Sequence, residues 1–363
     1  MLKSLKIENF RCFPSFEMQH LGRLNLIVGS NNSGKSSILE AIQLLSSQFN
    51  LELLRDAMIG RGEYISNEER NDGSVRRITR ELDIRHLFHG REINVGSKFS
   101  ISGDSLNKTQ AIFVSIENTA QPNLFEDIED IRDLALSIDY SGQGKENIKL
   151  PLLPEESLSL DYVRRIRKDS TVISKTQLIK SSSMQPEEMV NLFNKLVLTS
   201  EEDFVIDALR TIDHKIERIA PSEVKYRDPS SRVGFRVRLS DSDKPIPIGS
   251  MGDGIWRMLG IALAIVNAKN GVLLIDEIDT GLHFTVMSDM WKMLWETAKR
   301  LNVQIFATTH SSDCWQSLAD IANAENPSED GITIHRIEKG KPNSIVFTER
   351  QIAIAAERHI EVR

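Results

Sequence analysis

The sequence predicts an α/β fold, a mixed parallel and antiparallel sheet with flanking helices, and three observations predict it. An apolar strand, Leu24 to Val28, runs into a glycine-rich loop and then a helix with Ile38, Ile42 and Leu45 on one face and Leu39 beside them. A second apolar strand over 272–275 leads through an amphipathic helix over 285–301 to a third, Val303 to Ala307. Strand, helix, strand in that order is the right-handed crossover of a parallel sheet. Between these ends, strand candidates at 94–101, 111–116, 136–140 and 148–150 are joined by short polar turns and read as hairpins.

Residues 24–37 read LNLIVGSNNSGKSS, and Gly29, Gly34, Lys35 and Ser36 fill G-x-x-x-x-G-K-[ST], a phosphate-gripping loop. Gly29, Ser30, Asn31, Asn32, Ser33 and Gly34 would curl their N–H groups around the phosphates at the following helix's N-terminus. Lys35 is expected on the β and γ phosphates, the Ser36 hydroxyl on Mg²⁺, and Ser37 on an α-phosphate oxygen, which makes ATP with Mg²⁺ the expected ligand. A plain Gly/Ser/Asn turn has the same composition, but a second half of the site follows downstream.

That half is VLLIDE over 272–277. Its carboxylates stand at the strand's C-terminal end, where ligands of open α/β sheets bind. Asp276 is placed to hold the metal, directly or through water, and Glu277 to orient or deprotonate the attacking water. His310 stands just past Val303 to Ala307, within TTHSSD, and is expected to contact the γ-phosphate or the water. Upstream, GSMGDGIWRM over 249–258 precedes an apolar helix from Leu259 to Val266. Ser250, Gly252, Asp253 and Gly254 make a second small anion corner. A dimer explains two such corners, with the corner of one copy closing over the phosphate held by the other.

Taken in chain order, phosphate loop, Ser/Gly corner, acidic strand, the turn after it and His310, the pieces resemble the ABC-type ATPase heads of the RecF, SMC and OLD-family branch. LKIENFRCF, Leu5 to Phe13, looks like that branch's opening strand. The signature S-x-G-D-G-x-x-R, Ser250 to Arg257, is similar to that of small stand-alone ATPases of bacterial anti-phage defence. The resemblance implies an ABC-type head, Arg11 near the nucleotide, and Asp279 in IDTGLH as the residue communicating across the dimer. For the Mg²⁺-sensing glutamine that the resemblance implies, Gln110 and Gln177 are candidates, and the motifs place neither. Only about fifty residues follow His310, too few for the nuclease domain of OLD proteins. A separate nuclease or toxin chain is therefore the expected effector.

The chain of 363 residues is 40% hydrophobic and 27% charged, which fits a globular protein of about two domains. Its net charge of −7 gives no global basic field, so nucleic acid is a possible but unsupported partner. The basic run Arg164, Arg165, Arg167 and Lys168 reads as a solvated face offset by the acidic run Glu126 to Asp133. Cys12 and Cys314 lack C-x-x-C partners and read as ordinary cytosolic thiols. Met1 to Lys6 lacks a signal-peptide core, and the longest apolar stretch, Ile255 to Val266, is broken by Arg257, so a cytoplasmic protein without membrane contact is expected.

Residues 184–219 read as helices, one opened by Pro186-Glu187-Glu188 and the next by Ser200-Glu201-Glu202-Asp203. The expected organisation is an ATPase head over 1–182 and 220–363 with a helical insertion over 183–219. Val233, Phe235, Val237 and Leu239 alternate with polar residues as a half-buried strand, and strands at 332–337 and 344–348 precede a terminal helix. The expected function is an ATPase that forms a nucleotide-sandwich dimer and controls an effector in anti-phage defence. A RecF-like repair ATPase acting on DNA and a nucleotide-gated scaffold with little turnover are the alternatives.

Overall fold

A computed structural model of the chain describes residues 1–69, 77–105, 108–118, 134–141, 148–160, 163, 175–182, 184–224, 232–324 and 330–362. The basic run at 164–168 and the acidic run at 126–133 lie outside the described residues. Two compact units are present. One comprises Met1–Gln19, Glu40–Ser174 and Gly340–Ser344; the other comprises His20–Leu39, Lys175–Lys339 and Ile345–Arg363.

The first unit is built on an antiparallel sheet in the order Phe13–Met18, Leu5–Phe10, Lys98–Ser105, Lys108–Asn118, Leu134–Ser141, Ile148–Pro151. Leu5 and Ile7 alternate as buried residues, the left-handed Asn9 at φ 54 breaks the alternation so that Phe10 is buried as well, and Phe99 packs on both Phe10 and Phe88. The hairpin expected at 94–101 and 111–116 forms, but its strands run on to Ser105 and start at Lys108. Gly103-Asp104-Ser105, which lies in the polar connection expected between 101 and 111, is therefore the end of a strand. The reason lies in the N-terminal segment. A Cβ on Gly103 would lie 2.4 Å from Leu2 Cδ1 and 2.7 Å from the Ser4 carbonyl, and Asp104 accepts from Ser4 Oγ at 2.9 Å and Thr109 Oγ1 at 2.7 Å.

The second unit contains the sheet that matters for function. Its order is Thr176–Ile179, Val272–Ile275, Gln304–Thr308, Leu24–Gly29, Ile332–Ile337, Ile345–Thr348. The first five strands are parallel and the last is antiparallel. Leu24–Gly29 is buried throughout, as a central parallel strand should be. Its one amide side chain is fully used. Asn25 Nδ2 donates to the carbonyls of Gly22 at 2.9 Å and Ile305 at 3.0 Å, while Oδ1 accepts from Gly22 N at 2.8 Å and Thr333 Oγ1 at 2.9 Å. This ties the central strand to both neighbours.

The helix Asp253–Asn267 is apolar nearly all round and correspondingly buried. Met287–Leu301 buries one stripe, including Met290, Trp291, Leu294 and Leu301, and ends on Asn302 in the left-handed region. Pro186–Asn194 and Glu202–Arg210 are helical, but residues 216–219 are not; they begin the strand Ile216–Val224, paired with Arg232–Leu239. Pro221 fits there because that strand is an edge. The two helices bury Met189, Phe193, Val205 and Leu209 in one core with Asp253–Asn267. The division between units thus follows a different line from the expected insertion at 183–219. Cys12 is exposed and Cys314 buried. Among the described residues no helix is long and apolar enough to cross a membrane.

His335, in Ile332–Ile337, is fully buried, and burial lowers its pKa from 6.5 to about 3. The folded chain holds it neutral, whereas the unfolded chain takes up a proton below pH 6.5. Its contribution to stability is complete above that pH and is lost as pH falls towards 3. Melting temperature should therefore drop less steeply with acidification in His335→Gln than in the wild type; identical slopes would refute the assignment.

Candidate active site

The site follows from strand order. Gln304–Thr308 lies between Leu24–Gly29 and Val272–Ile275, all three parallel, so their C-terminal ends emerge side by side. The phosphate loop leaves one strand, Asp276 and Glu277 leave another, and Thr308, Thr309 and His310 leave the strand between them.

The loop's backbone requires its glycines. Gly29 has φ 149, and a Cβ there would stand 2.4 Å from the Ile337 carbonyl; Gly34 has φ 99. The helix Lys35–Ser46 starts directly behind, with Ile38 N bonded to the Gly34 carbonyl at 3.0 Å. Lys35 is only 6% exposed, and its Nζ donates to the carbonyls of Gly29 at 2.9 Å and Ser30 at 2.8 Å. Burial lowers its pKa below the ordinary lysine value, against the opposing pull of Asp276 and Glu277. Ser33 Oγ is buried without a hydrogen-bond partner. A buried ammonium and an unspent hydroxyl at the start of a helix suit a phosphate chain.

Across the loop, Ser36 Oγ donates to Asp276 Oδ2 at 3.0 Å, with Oδ1 at 3.3 Å. The hydroxyl and carboxylate expected to share a metal are thus adjacent, and both are hard oxygen donors of the kind Mg²⁺ takes beside phosphate oxygens. Sequence reading missed the residue that fixes this carboxylate. Thr308 Oγ1 donates to Asp276 Oδ1 at 2.6 Å and accepts from Glu277 N at 2.8 Å. Its neighbour Thr309 donates to Asp279 Oδ1 at 2.6 Å and accepts from Ser311 N at 2.9 Å. The signal was the Thr-Thr pair before His310, whose meaning needs the strand register. Glu277 accepts from Thr280 Oγ1 at 3.3 Å, and His310 is half-buried.

The second corner stands as Ile248–Met251, a single tight turn, then Gly252 at φ 96 and the helix from Asp253. Ser250, Gly252 and Asp253 are exposed. A Cβ on Gly254 would lie 3.2 Å from the Gly281 carbonyl, so the helix start packs closely on the loop after Asp279. Gln177 lies on the strand beside the acidic one, opposite Leu273, whereas Gln110 lies in the first unit opposite Gly103. Arg11 also lies in the first unit, where Nη1 donates to Glu63 Oε1 at 2.7 Å and Nε meets Glu40. It is not among the groups the second unit brings together.

This arrangement of loop, acidic strand end and glycine corner, on these strands in this chain order, places the protein among ABC-type ATPase heads of the RecF, SMC and OLD branch. A family model described as "AAA domain, putative AbiEii toxin, Type IV TA system" matches residues 24–313, and the chain belongs to that family. A Helicobacter pylori protein named ATP/GTP phosphatase is 24% identical over 337 residues, 86% of each chain. The OLD nuclease of Thermus scotoductus is 22% identical over 345 residues, covering 86% of this chain and 59% of the relative. A crystal structure of an SMC head bound to the C-winged helix domain of ScpA superposes over 96% of this chain and 98% of that one, with a TM-score of 0.50 and 13% identity, which is a likeness of fold. The chain is an ATPase.

Proposed function

We propose that two copies of this chain sandwich two ATP molecules and that hydrolysis switches a partner effector, in bacterial defence against phage. The observation that carries the dimer is the exposed second corner. Ser250, Gly252 and Asp253 front a buried helix, while the loop, Asp276 and Glu277 already form one set of groups around Lys35. A further anion corner is of use against a phosphate that another copy holds.

In this reading Lys35 and the loop amides neutralise and orient the triphosphate. Ser36 and Asp276 would hold Mg²⁺, which would offset charge on the phosphate oxygens. Glu277 orients the water and takes its proton as the water oxygen bonds to the γ-phosphorus and the bond to the bridging oxygen breaks, leaving ADP. His310, at the end of the middle strand, steadies the γ-phosphate. Asp279, held by Thr309, reports the state of the site to the other copy.

The effector reading draws support from the toxin system in the family's description and from the OLD nuclease among the relatives. Affinity purification from the native host tests it. Glu277→Gln with ATP and Mg²⁺ should elute at dimer mass and retain one recurrent effector that leaves when nucleotide is removed. A monomer that binds ATP with no retained protein would contradict the reading. Turnover that rises severalfold with DNA, and loses that stimulation with salt, would instead favour direct action on DNA.

A further inference from the structure

Glu277 has φ 49, a left-handed conformation uncommon for a residue with a side chain. Such a conformation persists only when its surroundings hold it. Both main-chain groups of Glu277 are held by side chains from other elements. Its N–H donates to Thr308 Oγ1 at 2.8 Å, and its carbonyl accepts from Arg257 Nη2 at 3.0 Å. Thr308 is fully buried and spends its own proton on Asp276 Oδ1.

Arg257 is the more telling partner. It is 3% exposed, on the helix Asp253–Asn267. Nη2 also reaches the Asp276 carbonyl at 2.9 Å, and Nη1 reaches the Lys180 carbonyl at 2.8 Å. A guanidinium buried against main-chain carbonyls costs folding free energy that an apolar side chain would not. What it contributes is backbone geometry: it joins the signature helix, the end of the acidic strand and the end of the neighbouring strand Thr176–Ile179 at one point.

We infer that Arg257 and Thr308 form a strut that holds Glu277 in its left-handed conformation and so aims its carboxylate at the attacking water. Both are positioning residues that do not touch nucleotide: Arg257 acts through Glu277, and Thr308 acts through Glu277 while also holding the Asp276 carboxylate. The inference rests on the catalytic role proposed for Glu277. Without the strut, the peptide relaxes towards the right-handed region, the Cα–Cβ direction turns, and the carboxylate leaves its working position, a misplacement that costs turnover far more than binding.

The test uses Arg257→Met, which keeps an apolar stem, together with Thr308→Val and Thr308→Ser. Arg257→Met should lower kcat about tenfold or more while the Kd for a non-hydrolysed ATP analogue stays within about threefold, and Thr308→Val should lower kcat at least as far, with its affinity compared without Mg²⁺ because Thr308 also holds Asp276. Thr308→Ser, which keeps the hydroxyl, should retain most of the turnover. In a Glu277→Gln background, Arg257→Met should add no further loss, because both changes act on one group. A readout apart from activity is amide hydrogen exchange at Glu277, which should quicken by about tenfold or more in Thr308→Val and Arg257→Met. Unchanged kcat in both variants, an equal loss of nucleotide affinity, or a full multiplicative loss in the Gln background would overturn the strut. If wild type and Glu277→Gln turn over ATP equally slowly, the catalytic reading of Glu277 fails instead. The exchange measurement then decides the strut alone, and unchanged protection at Glu277 in both variants overturns it.

Discussion

Glu277→Gln is expected to lower ATP turnover by about 10²–10⁴-fold, the range for loss of a positioned general base. The carboxamide keeps the size of the side chain and leaves the backbone bonds to Thr308 and Arg257 intact. It removes the negative charge and the proton acceptor, so water is neither oriented nor deprotonated. Affinity for ATP should stay within a few-fold, since Lys35, the loop and Asp276 are untouched. Single-turnover kinetics set beside an equilibrium binding measurement separates the two effects. Equal losses of kcat and affinity would mean that Glu277 serves binding, and unchanged kcat would move the base elsewhere.

Lys35→Met is the second large effect, and it falls on binding. Lys35 Nζ lies 2.9 Å from the Gly29 carbonyl and 2.8 Å from that of Ser30. Each charge-assisted hydrogen bond to phosphate contributes about 1.5–3 kcal/mol, so losing two weakens ATP binding by about a hundredfold or more. The fold should change little: relief of an ammonium that is 6% exposed is offset by the loss of its bonds to the Gly29 and Ser30 carbonyls, so the melting temperature should stay near that of the wild type. In the wild type, burial lowers the Lys35 pKa, so ATP affinity should weaken as pH rises before an ordinary lysine would titrate. A variant that folds and binds ATP like the wild type would remove Lys35 from the site.

Much of this was legible in the sequence, for physical reasons that differ by element. The phosphate loop could be read because close backbone approach at Gly29 demands glycine and the chemistry demands a cation and a hydroxyl next to each other. The acidic pair could be read because a parallel strand covered on both faces is a continuous apolar run, and VLLI, buried from Leu273 to Ile275, runs into Asp276. Thr308 was invisible because its function depends on register: it pairs with Ile27 and so presents its hydroxyl to Asp276 on the next strand. Arg257 read only as an interruption of an apolar helix, since its partners are carbonyls, which carry no side-chain signal. Residues 216–219 read as helix because local periodicity could not anticipate the strand Arg232–Leu239 that captures them. The segment before Lys108 read as a turn because Gly-Asp-Ser is turn chemistry locally, whereas the N-terminal residues Leu2 to Ser4 convert it to strand.

Subunit complementation tests the shared site most directly. Lys35→Met disables the loop of its own copy, and Ser250→Arg, an exposed position, blocks the corner offered to the other copy. Each variant alone should be inactive. Mixed in equal amounts they should recover about a quarter of wild-type turnover, because half the dimers are mixed and each mixed dimer holds one intact pair of loop and corner. If Ser250→Arg alone keeps wild-type turnover, the corner takes no part in hydrolysis and the sandwich is wrong.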